Sequence, residues 1–159
     1  LRGQEFVTKK ISRDLVRVKN GKKEFLEIGN MSAERDWGFA GDYVKAMWMM
    51  MNQSEAQDYV ISSGVKHSVR EFIKEVLSLL NFKFKFEGEG IEEKVINTEN
   101  NKTIVRVKKD FYRPAEVDLL LGSSNLAKSN LGWQPNTSFK ELVKMMVEFD
   151  QKNLMNGLK

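Results

Sequence analysis

The sequence of 159 residues contains no cysteine, one histidine and two prolines. The lack of cysteine excludes disulfides and thiolate metal sites, and it fits a reducing cytosol, so we expect a cytoplasmic protein. The single histidine, His67, leaves no imidazole cluster for a metal and no partner for a serine in a catalytic triad. No apolar run approaches the roughly 18 residues that are needed to span a bilayer, and we therefore expect no membrane partner.

Two catalytic signatures are also missing. No Gly-x-Gly-x-x-Gly occurs, because Gly88 and Gly90 are followed by glutamates rather than by a helix start with a third glycine. No tyrosine is followed four residues later by a lysine. The sequence therefore contains no visible dinucleotide-binding loop and no tyrosine–lysine acid/base pair.

The charges are numerous and mixed in sign. The 26 lysines and arginines and 22 aspartates and glutamates give a net charge of +4. Because the two signs alternate along the chain, they indicate solvated helix faces rather than a basic stripe, and we expect no nucleic-acid partner.

The pattern of apolar residues predicts alternating helices and strands, and hence an α/β or α+β fold. We expect helices over residues 4–19, 40–52, 69–80 and 139–154, and a short helix that is capped by Ser123 or Ser124 and ends at Leu131. We expect strands over residues 24–28, 58–62, 82–87 and 103–108, and loops over residues 30–39 and 88–102. Capping boxes, in which a serine and a glutamate exchange hydrogen bonds, are predicted at Ser68–Glu71 and Ser138–Glu141.

Two stretches each set one arginine near an aromatic residue and a carboxylate. Arg35 lies in the loop before the second helix, and Arg113 follows the last predicted strand. A guanidinium binds phosphate oxygens bidentately, so two arginines far apart in sequence suit a diphosphate. The alternative is a pair of surface ion pairs with Asp36 and Glu116. Glu116 could accept two hydroxyls of a ribose, or it could be an ordinary surface glutamate.

Other polar and aromatic residues are predicted to have structural roles. Asp36 and Asp42 are expected to hold the loop or cap the second helix rather than to bind a ligand. His67, just before a helix cap, is expected to be structural. The apolar core is the more favoured place for the three tryptophans, Trp37, Trp48 and Trp133.

Taken together, these segments resemble the C-terminal part of the GDP-mannose 4,6-dehydratase family, which belongs to the extended short-chain dehydrogenases/reductases. The resemblance covers nearly the whole chain. The matching blocks are Arg2-Gly3, Phe6-Val7-Thr8, Lys10-Ile11-Ser12-Arg13, Gly29-Asn30, Arg35-Asp36-Trp37-Gly38, Ala40, Asp42-Tyr43-Val44, Ala46-Met47-Trp48, Gly64, His67-Ser68-Val69-Arg70-Glu71-Phe72, Tyr112-Arg113-Pro114, Glu116-Val117-Asp118, Leu131, Trp133 and Pro135.

The resemblance implies the fold class: α/β, the C-terminal substrate-binding part of an extended short-chain dehydrogenase/reductase (Rossmann-type) fold, with mixed helices and short strands. It also implies the reaction, in which GDP-mannose loses water to give GDP-4-dehydro-6-deoxy-mannose with bound NADP. The positions that it assigns are Arg2 to NADP, Val7 and Lys10 to the surroundings of the guanosine diphosphate, Arg35 and Arg113 to the diphosphate, and Glu116 to the ribose.

The family's catalytic residues and glycine-rich loop match nothing in this sequence. We therefore expect residues 1–159 to be the nucleotide-sugar-binding part, without an NADP-binding Rossmann part, and to catalyse nothing alone. The resemblance implies a homodimer or homotetramer for the full-length enzyme. Two alternatives stay open at this point: a nucleotide-binding or partner-binding module without enzyme function, and an enzyme for another nucleotide-diphosphate sugar.

Overall fold

The computed structural model describes residues 6–113 and 121–157. The chain divides into two compact units. The larger unit comprises residues 1–33, 68–116 and 143–159, and the smaller unit comprises residues 34–67 and 117–142. The five helices of the described residues are α1 (Val7–Lys19), α2 (Ala40–Met51), α3 (Val69–Leu79), α4 (Asn125–Leu131) and α5 (Phe139–Met155). The six strands of these residues are β1 (Leu26–Ile28), β2 (Glu34–Asp36), β3 (Lys66–Ser68), β4 (Phe84–Glu87), β5 (Lys94–Asn97) and β6 (Thr103–Val107).

Helix α1 begins the described part of the larger unit and buries one apolar face. Ile11, Leu15 and Val16 are fully buried, as their helical spacing predicts. The helix ends at Asn20, and Gly21 adopts a φ of +67°, a left-handed conformation that glycine reaches without steric cost. The predicted end of this helix is therefore confirmed.

A four-stranded sheet in the order β1-β6-β5-β4 forms the other layer of the larger unit. Strand β1 runs parallel to β6, whereas β5 is antiparallel to both of its neighbours. Leu26, Val95 and Val105 are fully buried, and Val95 and Val105 lie opposite each other across β5 and β6. Cross-strand apolar pairs of this kind stabilise the sheet.

The prediction of a loop over residues 88–102 is wrong. The segment contains a 3₁₀ turn at Gly90–Glu92 and then strand β5, which lies inside the sheet. Glu93 is 3% exposed, and its carboxylate accepts a hydrogen bond of 2.7 Å from Nε of Arg70. The sequence did not predict this strand, because Val95 and Ile96 form only a short apolar run among glycines, glutamates and asparagines.

The smaller unit contains β2, β3, α2, α4 and the first turn of α5. Strands β2 and β3 pair, so the expected loop before α2 contains a short strand that the sequence did not predict. Conversely, the strand expected over residues 58–62 is wrong: these residues have no strand assignment, and Val60 is 57% exposed. In neither unit do the described helices include one that is long and apolar enough to cross a membrane.

Both predicted capping boxes are confirmed. At the start of α3, the Ser68 hydroxyl accepts from the backbone N–H of Glu71, and the Glu71 carboxylate accepts from the backbone N–H of Ser68. The same exchange joins Ser138 and Glu141 at the start of α5. The hydrogen bonds from Ser138 lower the pKa of the Glu141 carboxyl.

A buried ion pair joins the two ends of the larger unit. The ammonium group of Lys9 on α1 contacts the carboxylate of Asp150 on α5, and the Ser12 hydroxyl donates to the same carboxylate at 2.6 Å. Lys9, Ser12 and Asp150 are all less than 9% exposed. Burial of charges is tolerated only when each is paired and hydrogen-bonded.

We predict that Asp150→Ala lowers the free energy of unfolding by about 3–5 kcal/mol, because it leaves the Lys9 ammonium buried without its counter-charge. Urea unfolding followed by circular dichroism measures the change. The matched control on the same helix is Glu148→Ala, which removes an exposed pair with Lys144 and should cost less than about 1 kcal/mol. Equal losses in the two variants would contradict the prediction.

Asp14 on α1 provides a pH-dependent contribution to stability. Its carboxylate is 1% exposed and accepts from Lys23 at 2.6 Å and from Arg13 at 2.9 Å. Burial alone raises the pKa of Asp14, but the hydrogen bonds from Lys23 and Arg13 outweigh it and hold the pKa below its usual value.

Because the pKa of Asp14 is lower in the folded than in the unfolded state, Asp14 stabilises the fold at pH values above its unfolded-state pKa. This stabilisation is lost as the pH falls through the folded-state pKa. We predict that wild type exceeds Asp14→Asn in stability at neutral pH, and that the difference shrinks below about pH 4. Urea unfolding of both proteins across this pH range measures it. A difference that grows on acidification would contradict the sign.

Candidate functional site

The smaller unit holds Arg35 at the centre of strand β2. The Arg35 side chain is half-buried, and its Nη1 donates to the backbone carbonyl of Glu34 at 2.7 Å. The Glu34 carboxylate in turn contacts the ammonium group of Lys66 on β3. Arg35 is thus placed by a paired strand rather than by a free loop, which fixes the backbone from which its guanidinium projects.

Asp36 fastens the segment that follows Arg35. Its two carboxylate oxygens accept from the backbone N–H groups of Ser63 at 3.1 Å and Gly64 at 3.0 Å. Hydrogen bonds to a carboxylate are about twice as strong as neutral ones. The expectation that Asp36 holds the loop is therefore confirmed, and its carboxylate is already engaged by the protein itself.

Asp42 makes a second attachment in the first turn of α2. Its carboxylate accepts from the backbone N–H groups of Asn136 at 3.2 Å and Thr137 at 3.0 Å, and its carbonyl accepts from Nε1 of Trp133 at 2.9 Å. Asp42 and Trp133 are 7% and 1% exposed. The expected structural role of Asp42 is confirmed.

The aromatic residues of the smaller unit divide into a buried set and an exposed one. Trp37 stacks on Phe139 with 6.2 Å between ring centroids, and His67 stacks on the same ring at 3.8 Å. Trp37 is 7% exposed, but Trp48 is 66% exposed. The core prediction is therefore confirmed for Trp37 and Trp133 and is wrong for Trp48.

A shallow cavity of about 400 Å³ opens beside this segment, lined by Asp36, Tyr43, Val60, Ile61, Ser62, Leu121 and Gly122. The Ser62 hydroxyl is buried and has no hydrogen-bond partner in the part of the chain that the structure describes. A Cβ at Gly122 would lie 2.7 Å from the Ser62 Cβ, so only glycine allows these two segments to approach. Neither Ser62 nor Gly122 belongs to a sequence motif that would predict this contact.

The larger unit holds Val7 and Lys10 on the first turns of α1. Lys10 Nζ lies 4.0 Å from the ring centroid of Phe111, and Lys108 Nζ lies 5.1 Å from the same centroid. A cation is attracted to an aromatic face at such distances. Burial lowers the pKa of Lys10. Two ammonium groups thus lie around one ring, and that of Lys108 also lies 3.7 Å from the Glu27 carboxylate.

Glycine at position 29 makes this arrangement possible. A Cβ at Gly29 would lie 2.3 Å from the carbonyl oxygen of Phe111, a distance at which atoms overlap. The backbone of Phe111 is therefore packed directly on the end of β1. Gly29 belongs to a block that matches the family, whereas Phe111 and Lys108 could not be predicted, because a phenyl ring between two lysines has no sequence spacing of its own.

Arg113 is exposed and lies two residues after Phe111. Arg35 belongs to the smaller unit, whereas Val7, Lys10 and Arg113 belong to the larger one, so the convergence of the two arginines on one diphosphate stays a prediction. Arg2 and Glu116 lie outside the described residues. The structure thus brings Lys10 to Phe111, and every predicted ligand contact stays a prediction.

We predict that Asp36→Ala destabilises the protein by about 1–3 kcal/mol, because two backbone N–H groups lose their acceptor. The amide protons of Ser63 and Gly64 should exchange faster with solvent, which nuclear magnetic resonance measures residue by residue. The neighbouring exposed carboxylate provides the control: Glu34→Ala breaks only its pair with Lys66 and should cost less than about 1 kcal/mol. Unchanged exchange at both amides in Asp36→Ala would refute the anchoring role.

The family model described as "GDP-mannose 4,6 dehydratase" matches residues 1–146. Among curated proteins, the GDP-mannose 4,6 dehydratase of Dictyostelium discoideum is 46% identical over 156 residues, covering 98% of this chain and 44% of that protein. The human GDP-mannose 4,6 dehydratase is 43% identical, with 94% of this chain and 40% of that protein covered. The chain therefore spans less than half the length of these relatives.

Solved structures share the fold. The structure of RMD from Pseudomonas aeruginosa, complexed with NADPH, has a TM-score of 0.75 at 19% identity and covers 96% of this chain and 44% of that one. The dTDP-glucose 4,6-dehydratase of Bacillus anthracis, in complex with NAD, has a TM-score of 0.69 at 15% identity, with 99% of this chain and 43% of that one covered. The expected fold class is confirmed.

Proposed function

This chain belongs to the GDP-mannose 4,6-dehydratase family, and we propose that it supplies the nucleotide-sugar-binding side of such an enzyme. The proposed reaction converts GDP-mannose to GDP-4-dehydro-6-deoxy-mannose by net loss of water. The observation that carries the proposal is the 46% identity to the Dictyostelium relative over 98% of this chain, since the described residues contain no catalytic arrangement that would indicate the reaction independently.

The proposed substrate contacts are spread over both units. Arg35 and Arg113 are proposed to bind the diphosphate with their guanidinium groups, because a planar fork of donors matches phosphate oxygens. Glu116 is proposed to accept the ribose hydroxyls. Val7 and Lys10 are proposed to line the guanosine diphosphate, and the position of Lys10 against the ring of Phe111 supports this, because it holds an ammonium group at a fixed place on the surface.

NADP is the proposed cofactor, and when bound it supplies the hydride acceptor and donor of the reaction. Little of this sequence is proposed to contact that cofactor. Arg2 is the one residue proposed to contact it, and the sequence has neither a glycine-rich loop nor a tyrosine–lysine pair. We therefore propose that residues outside these 159 hold NADP and carry out the proton transfers, and that the catalytic set lies there too.

The proposal also covers the oligomeric state and the cellular location of the full-length enzyme. We propose that the full-length enzyme forms a homodimer or homotetramer in the cytoplasm, as the family resemblance and the lack of cysteine led us to expect. Neither a nucleic acid nor a membrane is a proposed partner, since the charges are mixed and no long apolar run occurs in the sequence.

A chimera tests the proposed function. Residues 1–159 replace the matching segment of the Dictyostelium relative, which is 46% identical, so that the remaining part of that enzyme supplies the cofactor and catalytic residues. We predict that the chimera dehydrates GDP-mannose in the presence of NADP, whereas residues 1–159 alone do not. Turnover by the isolated chain would contradict the assignment of chemistry to other residues, and a folded but inactive chimera would contradict the proposed function.

Competition between nucleotides in the same chimera tests which nucleobase the proposed site prefers. We predict that GDP inhibits it at lower concentration than UDP or dTDP, because the proposed site is built for guanosine. Inhibition constants from initial rates measure the preference. Stronger inhibition by UDP would refute the guanosine assignment and favour another nucleotide-diphosphate sugar.

Arg35→Ala and Arg113→Ala in the chimera test the phosphate contacts. Each variant removes a charged hydrogen bond worth about 1.5–3 kcal/mol, so we predict that the Michaelis constant for GDP-mannose rises about 10–100-fold. Arg106→Ala is the control, because this exposed arginine pairs with Glu27 on the sheet and has no proposed ligand contact. An unchanged Michaelis constant in both site variants would remove the phosphate role.

A further inference from the structure

The shallow cavity of the smaller unit has the size and the lining of a small-molecule site. Its volume of about 400 Å³ lies within the range of ligand pockets, which are largely formed before a ligand binds. Two residues of its wall, Tyr43 and Ile61, also pack against the buried cluster that contains Trp133. The wall is therefore part of the unit's own core. We refer to the space lined by Asp36, Tyr43, Val60, Ile61, Ser62, Leu121 and Gly122 as the Ser62 cavity.

The Ser62 hydroxyl is the group in this cavity that the fold leaves unsatisfied. Ser62 is 6% exposed, and its Oγ has no hydrogen-bond partner among the described residues. Buried polar groups without a partner are rare, because each one destabilises the folded state. A Cβ at Gly122 would lie 2.8 Å from this Oγ, so the hydroxyl lies where two segments of the wall meet. A ligand with hydroxyl groups of its own would supply the missing partner, since a serine hydroxyl both donates and accepts.

The electrostatics of the Ser62 cavity favour an uncharged ligand. Asp36 carries the one charged group among the described lining residues. Its two oxygens accept from the backbone N–H groups of Ser63 and Gly64, which offset its charge and still leave lone pairs for a ligand hydroxyl. A phosphate in the cavity would be repelled by this carboxylate, with no lysine or arginine among the described lining residues to compensate. A cation is the competing occupant.

We propose that the Ser62 cavity binds an uncharged pyranose, a six-membered sugar ring that carries neither a phosphate nor a nucleotide. Such a ring combines apolar C–H faces with a rim of hydroxyl groups. Val60, Ile61 and Leu121 provide apolar walls for the C–H faces, and Tyr43 adds an aromatic side chain. Ser62 exchanges a hydrogen bond with a ring hydroxyl. A pocket with mainly apolar walls and a few polar groups that fix orientation is typical of small-molecule sites.

The Ser62 cavity lies apart from the proposed diphosphate contact of Arg35. Arg35 and Asp36 are consecutive residues of strand β2, and successive side chains of a strand point to opposite faces. Because Asp36 lines the cavity, the guanidinium of Arg35 leaves the strand on the other side. The pyranose is therefore not the sugar of a nucleotide-sugar that Arg35 holds, and the inference goes beyond the proposed function without resting on it.

Two-dimensional ¹H–¹⁵N nuclear magnetic resonance of residues 1–159 tests binding and its location. The uncharged probes are methyl α-D-glucopyranoside and methyl α-D-mannopyranoside, and the charged ones are glucose 6-phosphate and glucosamine. We expect at least one uncharged glycoside to shift the amide resonances of Ser62 and Gly122, with a dissociation constant on the order of 1 mM. The amides of Lys10 and Phe111, which belong to the larger unit, should not shift. Both charged probes should bind more weakly than that glycoside.

The variant Ser62→Ala separates a binding role from a structural one. Because the hydroxyl has no partner among the described residues, its removal should leave the melting temperature unchanged or raise it. Binding of the glycoside should weaken about tenfold, since the ligand loses a buried hydrogen bond. The matched control is Ser54→Ala, which changes an exposed serine of the same unit outside the cavity and should alter neither quantity.

Several results would overturn the proposal. Unshifted Ser62 and Gly122 amides with both uncharged glycosides would leave the cavity to water. Tighter binding of glucosamine or of glucose 6-phosphate would assign it to a charged ligand. A lower melting temperature of Ser62→Ala, with unchanged binding of the glycoside, would make the hydroxyl a part of the fold. None of these measurements involves turnover, so the chimera and its Michaelis constants test the proposed function separately.

Discussion

The carboxylate of Asp42 joins two stretches of chain that lie more than 90 residues apart. It accepts the backbone N–H groups of Asn136 and Thr137 while its own carbonyl accepts from Trp133. The smaller unit is built from residues 34–67 and 117–142, so these bonds connect its two pieces directly. Asp42 and Trp133 are themselves buried, so losing the bond between them would leave an unsatisfied polar group inside the unit. The start of α2, and with it the segment that follows Arg35, depends on this attachment.

The larger unit has a comparable constraint of a different chemical kind. There an ion pair between Lys9 and Asp150, assisted by Ser12, connects α1 to α5. Buried ion pairs add little net stability compared with apolar packing, but they penalise any arrangement that separates the partners. Helix α1 also carries Val7 and Lys10. The orientation of this part of the proposed ligand surface is therefore fixed by other side chains of the same helix.

The fold was predictable from sequence wherever the signal was local. The capping boxes at Ser68 and Ser138 depend only on residues three apart, and helix ends such as Asn20-Gly21 depend on conformational preference. Strand β5 was not predictable, because Val95 and Ile96 are buried by pairing with strands on both sides rather than by their own run length. The prediction for residues 58–62 was wrong for the opposite reason: their apolar run is typical of a buried strand, yet no described strand pairs with them.

The same distinction between local and tertiary signals applies to the candidate site. The loop-holding role of Asp36 was visible in its sequence context, whereas the contact of Lys10 with Phe111 results from tertiary packing. The ligand roles of Arg35, Arg113 and Glu116 rest on resemblance, because their local sequence pattern fits surface ion pairs as well as it fits ligand contacts.

The close approach at Gly29 has a consequence for how variants of this protein are interpreted. The absence of a side chain there allows the carbonyl of Phe111 to sit where a Cβ would be, and the ring of Phe111 is the surface that Lys10 faces. Position 29 itself offers no side chain to a ligand. An alanine at this position would push Phe111 away from β1 and so move the ring, and an assay of ligand affinity would register a loss of binding at a residue without a side chain. Gly29 therefore helps to determine the shape of that surface, although it contributes no side-chain contact to it.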